Sequence, residues 1–227
     1  MATALFIIEL IGVASFSAAG AMIAIDKEID LFGVILMGAI TSFGGGMLRE
    51  VLRGEIPLFF TTMIPHAIVS VIVSLLVFII AARYKRAYVR VESKVVAINN
   101  ILDALGLGIY VAASTQVCMQ HGPYMAIILG TIASVGGGLI RDIILGDVPI
   151  ILRKRIYIIA AMIGCAVYYA IAMLPDSDNL SVDVIATVVS TLVVFAIRIC
   201  ATVFKWNMPK AIDFAKMEAE DKESSDA

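Results

Sequence analysis

The sequence predicts an all-α integral membrane protein: seven transmembrane helices as two inverted three-helix repeats plus a seventh helix, with helices 2 and 5 kinked. Three observations predict it. The chain of 227 residues is 61% hydrophobic and only 16% charged, with a mean hydropathy of +0.98, whereas a soluble domain is near half apolar and about a quarter charged. Seven apolar stretches reach spanning length. A block of sequence also recurs at a constant offset of 92 residues.

The first stretch, 4–25, holds Glu9 and stops at Asp26-Lys27-Glu28. Its small residues resemble a cleavage site, but no basic segment precedes it and Glu9 interrupts it, so it is read as a retained helix. The second, 31–52, carries Thr41, Ser42, Gly44, Gly45, Gly46, Arg49 and Glu50, and the third is 63–82, beyond Pro57. A linker at 83–94 holds Arg83, Lys85, Arg86, Arg90 and Lys94 against one acid, Glu92. The fourth stretch, 95–115, has Asp103 near its start. The fifth, 123–145, carries Ser134, Gly136, Gly137, Gly138, Arg141 and Asp142. The sixth, 156–174, follows Arg153-Lys154-Arg155, and the seventh, 182–204, follows PDSDNLSVD. The units are repeat one at 1–82, the linker, repeat two at 95–174, helix 7 within 175–204, and a charged tail at 205–227.

Basic loops stay cytoplasmic. Placing the 83–94 linker inside puts the N-terminus outside and the C-terminus inside, and the remaining loops agree apart from Arg53. Tyr84, Tyr88 and Trp206 then fall at the cytoplasmic interface.

The repeat is TSFGGGMLREVLRGEIPLFF at 41–60 against ASVGGGLIRDIILGDVPIIL at 133–152. Both glycine triplets, Arg49/Arg141, Gly54/Gly146 and Pro57/Pro149 are identical, while Glu50/Asp142 and Glu55/Asp147 keep the acid. Each repeat holds three spans, and an odd number inverts the second relative to the first. Inverted repeats with interrupted helices are a recurring permeation architecture.

Three glycines in an apolar helix cost roughly 1 kcal/mol each against alanine. Their uses are a bend, exposed carbonyls or close helix approach. The charges that follow cost about 2.5–3.5 kcal/mol or more inside a membrane, so they face the bundle interior and find partners. On this reading helices 2 and 5 break at their glycines and line a pathway with Arg49, Glu50, Arg141 and Asp142, with Thr41, Ser42 and Ser134 supplying hydroxyl oxygens. Plainer readings stand beside it. The triplets serve as packing patches alone, or the Arg–acid pairs snorkel to the interface. Glu9 and Asp103 either approach the pathway from opposite faces or are helix-end acids. Arg198 reads as a snorkelling residue, and His66 and His121 as surface residues. Cys118, Cys165 and Cys200 lack metal-ligand spacing. No phosphate-binding loop, HExxH or GxSxG motif is present, so an enzyme is not expected.

At GGGMLRE and GGGLIRD, within two three-span repeats plus a seventh helix, the sequence resembles the trimeric intracellular cation channel family, and most closely its prokaryotic members, which often carry a glycine transporter label. The resemblance covers nearly all of residues 1–205. It implies a homotrimer in a prokaryotic cell membrane. Each protomer would pass monovalent cations, chiefly potassium, through a pore lined by kinked helices 2 and 5. Carried over, Gly44–Gly46 and Gly136–Gly138 are the kinks and Arg49 and Arg141 the pore arginines. It implies permeant K+ or Na+, membrane lipid and further copies of the chain as partners, with no cofactor and no nucleic acid. The chain departs from the animal members' regulatory basic residues, because no base falls between Val95 and Gln120. The alternatives are a secondary transporter for glycine or another small zwitterion, and a scaffold without a pathway.

Overall fold

The computed structural model describes residues 2–57, 63–90, 92–153, 156–174, 180–204 and 206. Among these the chain is helical throughout, with α1 at Ala2–Asp26, α2 at Leu31–Leu52, α3 at Ile64–Arg83, α4 at Lys85–Arg90, α5 at Glu92–Cys118, α6 at Gly122–Ile144, α7 at Ile150–Arg153, α8 at Ile156–Ala172 and α9 at Leu180–Val203. The seven expected spans correspond to α1, α2, α3, α5, α6, α8 and α9. Two short helices were not expected. The basic linker, rich in helix-forming Lys and Arg, winds into α4, and a turn of helix, α7, follows Pro149. The Lys154–Arg155 pair, most of the PDSDNLSVD loop and nearly all of the charged tail lie outside the described residues.

Helix ends follow local chemistry. Asp30 caps α2 by accepting the Gly33 amide at 2.8 Å. Pro65 sits in the first turn of α3, where a missing N–H costs nothing. Both repeat helices end alike. Gly54 and Gly146 take φ of 74° and 70°, and the following amides reach back, Glu55 to the Glu50 carbonyl and Asp147 to the Asp142 carbonyl, each at 2.9 Å. Gly54 and Gly146 donate to Val51 and Ile143 at 3.0 and 3.1 Å. This is the same left-handed glycine cap, built twice from matching residues.

Burial is inverted relative to a soluble protein. On α3, Ser70 and Ser74 are fully buried while Ile68, Ile72, Leu76, Ile79 and Ile80 face outward. With hydrocarbon as solvent, small and polar side chains mediate helix contacts and large apolar ones face lipid. Ser17 hydrogen-bonds to Ser42 at 2.6 Å and to Ser70 at 2.8 Å, tying α1, α2 and α3. A second core gathers Phe16, Leu107, Val111, Val135, Cys165 and Val194 from α1, α5, α6, α8 and α9. At the other end of α1, Tyr88 of α4 donates to Asp26 at 3.2 Å. Burial, then Asp26, holds the Tyr88 phenol far above its ordinary range, so it stays a neutral donor.

The central contact is between α2 and α6, and it corrects the expectation of broken helices. Both helices run without interruption through their glycine triplets. The triplets do not release carbonyls; they let two intact helices touch. A Cβ on Gly45 would overlap the Ala133 carbonyl oxygen, and one on Gly137 would overlap that of Thr41. The first glycines pack less tightly: a Cβ on Gly136 would lie 3.1 Å from the Gly45 Cα. The third glycines are open, with nothing within 4 Å of a Cβ on Gly46 and only ordinary contacts, at 3.6 Å and beyond, for Gly138.

Each triplet therefore divides its labour by position. Gly45→Ala and Gly137→Ala are expected to lower the thermal unfolding midpoint of the detergent-solubilised protein, through overlap worth roughly 1–3 kcal/mol each. Gly46→Ala is expected to leave it within about 0.5 kcal/mol of the original. Equal midpoints for all three variants would contradict the crossing.

Candidate functional site

Beyond the crossing, each repeat helix carries its arginine and acid inward. Arg49 is 5% exposed and Arg141 only 1%, so neither snorkels to the interface. Arg49 donates to Glu50 at 2.8 Å and to Ser114 of α5 at 3.4 Å. Arg141 donates through Nε and Nη2 to Asp142 at 2.9 and 2.8 Å. The second Asp142 oxygen accepts the Ile150 amide at 2.8 Å, capping α7. Pairing with a chain neighbour gives each arginine a counter-charge within the bundle.

The two clusters lie at different depths. Ser114, beside Arg49, and Asp103, in the other cluster, are eleven residues apart on α5, or about 16 Å along the helix. The cluster of the first repeat surrounds a cavity of about 190 Å3, lined by Glu9, Ser42, Gly46, Arg49, Glu50, His66, Tyr110 and Ser114 among others. Glu9 is partly exposed there, with its Oε2 at 3.5 Å from Nε2 of buried His66. The cluster of the second repeat leaves a space of only about 10 Å3, lined by Gly138, Arg141, Asp142, Ile150, Ile151 and Tyr157 among others. Asp103 is buried beside it, bound by Arg198 at 3.0 Å and by the Tyr157 hydroxyl at 3.4 Å. The Arg198 guanidinium also lies 4.3 Å from the centre of the Tyr157 ring.

The chain resembles known proteins along most of its length. A family model described as glycine transporter matches residues 6–82 and 100–173. Among solved structures, a TRIC cation channel shares 31% identity over 91% of this chain and 97% of its own, with a TM-score of 0.74. The chain belongs to the TRIC channel family. A trimeric intracellular cation channel from Rhodobacter sphaeroides is 28% identical over 90% of this chain and all of its own, with a TM-score of 0.75. Among curated relatives of this TRIC protein, the inner membrane protein YadS of Escherichia coli is 29% identical over 88% of this chain and 92% of its own.

Within this TRIC fold, the residues expected from sequence take several distinct places. Gly46, Arg49, Glu50, Ser42 and Glu9 meet at the larger cavity, and Gly138, Arg141 and Asp142 at the smaller one. Gly44, Gly45, Gly136 and Gly137 form the crossing. Thr41 and Ser134 are buried, but their hydroxyls donate to their own helices, at Met37 and Thr131. Asp103 is not a helix-end acid at the interface; it is 4% exposed and paired.

Two residues read as bland are part of the site. Arg198 is corrected from a snorkelling residue to a buried one, 3% exposed, because Asp103 and the Tyr157 ring compensate its charge inside the bundle. His66 is corrected from a surface residue to a buried wall of the larger cavity, packed edge-on against Phe6 and with its Nε2 3.5 Å from the Glu9 carboxylate. The signal available for His66 was its place one residue after the proline that starts α3. No comparable signal marks Arg198, whose partner is 95 residues away.

Arg198→Ala leaves the Asp103 carboxylate buried with a single hydroxyl, and is expected to destabilise the protein by roughly 3–5 kcal/mol. A double variant with leucine at both positions is expected to unfold closer to the unsubstituted chain than Arg198→Ala does. A double variant as unstable as the sum of its single changes would contradict the pairing.

Proposed function

We propose that this protein is a passive channel for monovalent cations, chiefly potassium, working as a homotrimer with one pathway in each protomer. The observation that carries the reading is the placement of two buried Arg–acid pairs on either side of a glycine crossing, each facing its own cavity. Family membership and solved relatives that are cation channels support it. The two repeats are taken as inverted, with the N-terminus outside and the C-terminus in the cytoplasm of a prokaryotic cell. The larger cavity is then the outer half of the pathway and the smaller space the inner half. Helices α2 and α6 bend about their glycines without losing their helical run.

The backbones of α2 and α6 touch at Gly45 and Gly137, and on this reading that conformation is the non-conducting one. Conduction requires the crossing to part and the inner half, filled by Ile150 and Ile151, to widen. The paired arginines hold each carboxylate in place while leaving it partly neutralised, which suits passage of a cation better than tight binding. The third glycines keep side-chain bulk out of each half of the pathway.

A second reading is a carrier for glycine, which the description of the matching family model favours. Such a carrier holds the substrate carboxylate at the N-terminus of an interrupted helix. Unbroken α2 and α6 offer no such terminus at the triplets, which favours the channel.

The purified protein, reconstituted in planar bilayers, is expected to give single-channel currents selective for potassium over chloride. Gly46→Leu and Gly138→Leu, which place bulk at open positions, are expected to lower that conductance severalfold while preserving the trimer. Saturable glycine uptake without current would favour the carrier instead.

A further inference from the structure

Away from the two cavities of the repeat helices, a cleft of about 720 Å3 opens where α1 and α3 end. That volume falls within the roughly 300–1,000 Å3 of small-molecule sites. Its inner wall is apolar, with Ile25 and Ile29 from the end of α1 and the turn after it, and Phe78, Ala81 and Ala82 from α3. Its rim is charged: Asp26 and Glu28 come from the same turn, and Lys85 and Tyr88 from α4. Ile25, Ile29 and Phe78 are half-buried, whereas Asp26, Glu28 and Lys85 are exposed. None of these residues lines either of the other cavities.

The rim carries charges of both signs that the fold does not use. Tyr88 donates to Asp26 at 3.2 Å, which ties α4 to α1 and orients that carboxylate. Lys27, between the two acids in sequence, is engaged with Asp147 at 2.7 Å. Among the described residues neither Glu28 nor Lys85 forms an ion pair. Glu28 also takes a φ of 57°, the one positive value outside glycine among the described residues. Glycine or asparagine makes such a turn with less strain, so the turn itself does not call for a glutamate. The apolar run of α3 ends at Ala82, and Ile79, Ile80 and Tyr84 next to the cleft residues are exposed. The cleft therefore straddles the level at which hydrocarbon gives way to headgroups.

We propose that this cleft holds one phospholipid of the phosphatidylethanolamine type, with its phosphate at Lys85, its ammonium at Glu28 beside Asp26, and an acyl chain along Phe78 and Ala82. Unmatched charges of opposite sign suit a zwitterion. A primary ammonium donates N–H hydrogen bonds to carboxylates, and the quaternary ammonium of phosphatidylcholine has no N–H to give. An anionic headgroup satisfies Lys85 but leaves Glu28 facing like charge. The apolar wall calls for a chain, which a free headgroup lacks. The bound lipid bridges the end of α1 to α3 and α4, and so braces repeat one where it meets the basic linker. This site does not rest on the channel reading.

The test is the thermal unfolding midpoint of the purified full-length protein in detergent, titrated with lipids that share one pair of acyl chains. Phosphatidylethanolamine is expected to raise the midpoint saturably. Phosphatidylcholine and phosphatidylglycerol are expected to need about fivefold more lipid or beyond for half the effect. Phosphoethanolamine without chains is expected to be weaker by about tenfold or more. Lys85→Ala and Glu28→Asn are each expected to raise the half-saturating phosphatidylethanolamine about fivefold. Both are expected to leave the lipid-free midpoint unchanged, because Lys85 is exposed and asparagine suits the left-handed turn. Arg90→Ala, on α4 but outside the cleft, is expected to alter neither value. Phosphatidylglycerol as effective as phosphatidylethanolamine, or a loss on Arg90→Ala equal to that on Lys85→Ala, would make the region a general anionic-lipid surface and overturn the assignment. A midpoint indifferent to headgroup or to Glu28→Asn would overturn it as well. Any of these results leaves the channel reading where it stands, since none of them measures ion flow.

Discussion

Everything in this molecule is arranged around the place where α2 and α6 touch backbone to backbone. Gly45 presses on the Ala133 carbonyl and Gly137 on that of Thr41, and no side chain fits between. In a bilayer, where lipid tails are as apolar as leucine, such close approach is the main source of helix attraction. The contact fixes how far apart the two Arg–acid pairs sit and separates the two cavities. It also explains why the third glycine of each triplet is free: it lies past the crossing, where the helices diverge.

The buried charges are the second constraint. Three arginines with little exposure are costly in hydrocarbon unless each finds a carboxylate. Two solve this locally, with the next residue on the same helix. The third, Arg198, reaches across to Asp103 and so binds the seventh span to the second repeat. Glu9 is different, because the base facing it is a histidine and not an arginine. The two ends of the molecule thus share a plan and differ in the partners of their acids.

Much of this was legible in the sequence. Hydropathy located the seven long helices to within a few residues, because a bilayer imposes a minimum apolar length. The offset of 92 residues paired Gly54 with Gly146, and in the structure an identical glycine followed by an acid makes the same cap twice. The inward placement of Arg49 and Arg141 followed from the cost of charge in lipid. The triplets were misread as breaks because glycine lowers helix propensity and permits close packing equally, and composition does not say which is used. His66, Arg198 and the short α7 were missed for a related reason. Their roles come from residues distant in sequence or from tertiary capping, as when Asp142 captures the Ile150 amide, and no local pattern encodes them.

The central claim is that Gly45 and Gly137 occupy one crossing and are not two independent soft points. A double-mutant cycle with Gly45→Ala and Gly137→Ala, read by thermal unfolding of the purified protein, tests it most directly. Once one added methyl group has pushed α2 from α6, the second should meet less resistance. The double variant is therefore predicted to lose clearly less stability than the two single losses combined, with a coupling of about 0.5 kcal/mol or more. Strict additivity would mean that the two glycines act apart, and would contradict the account.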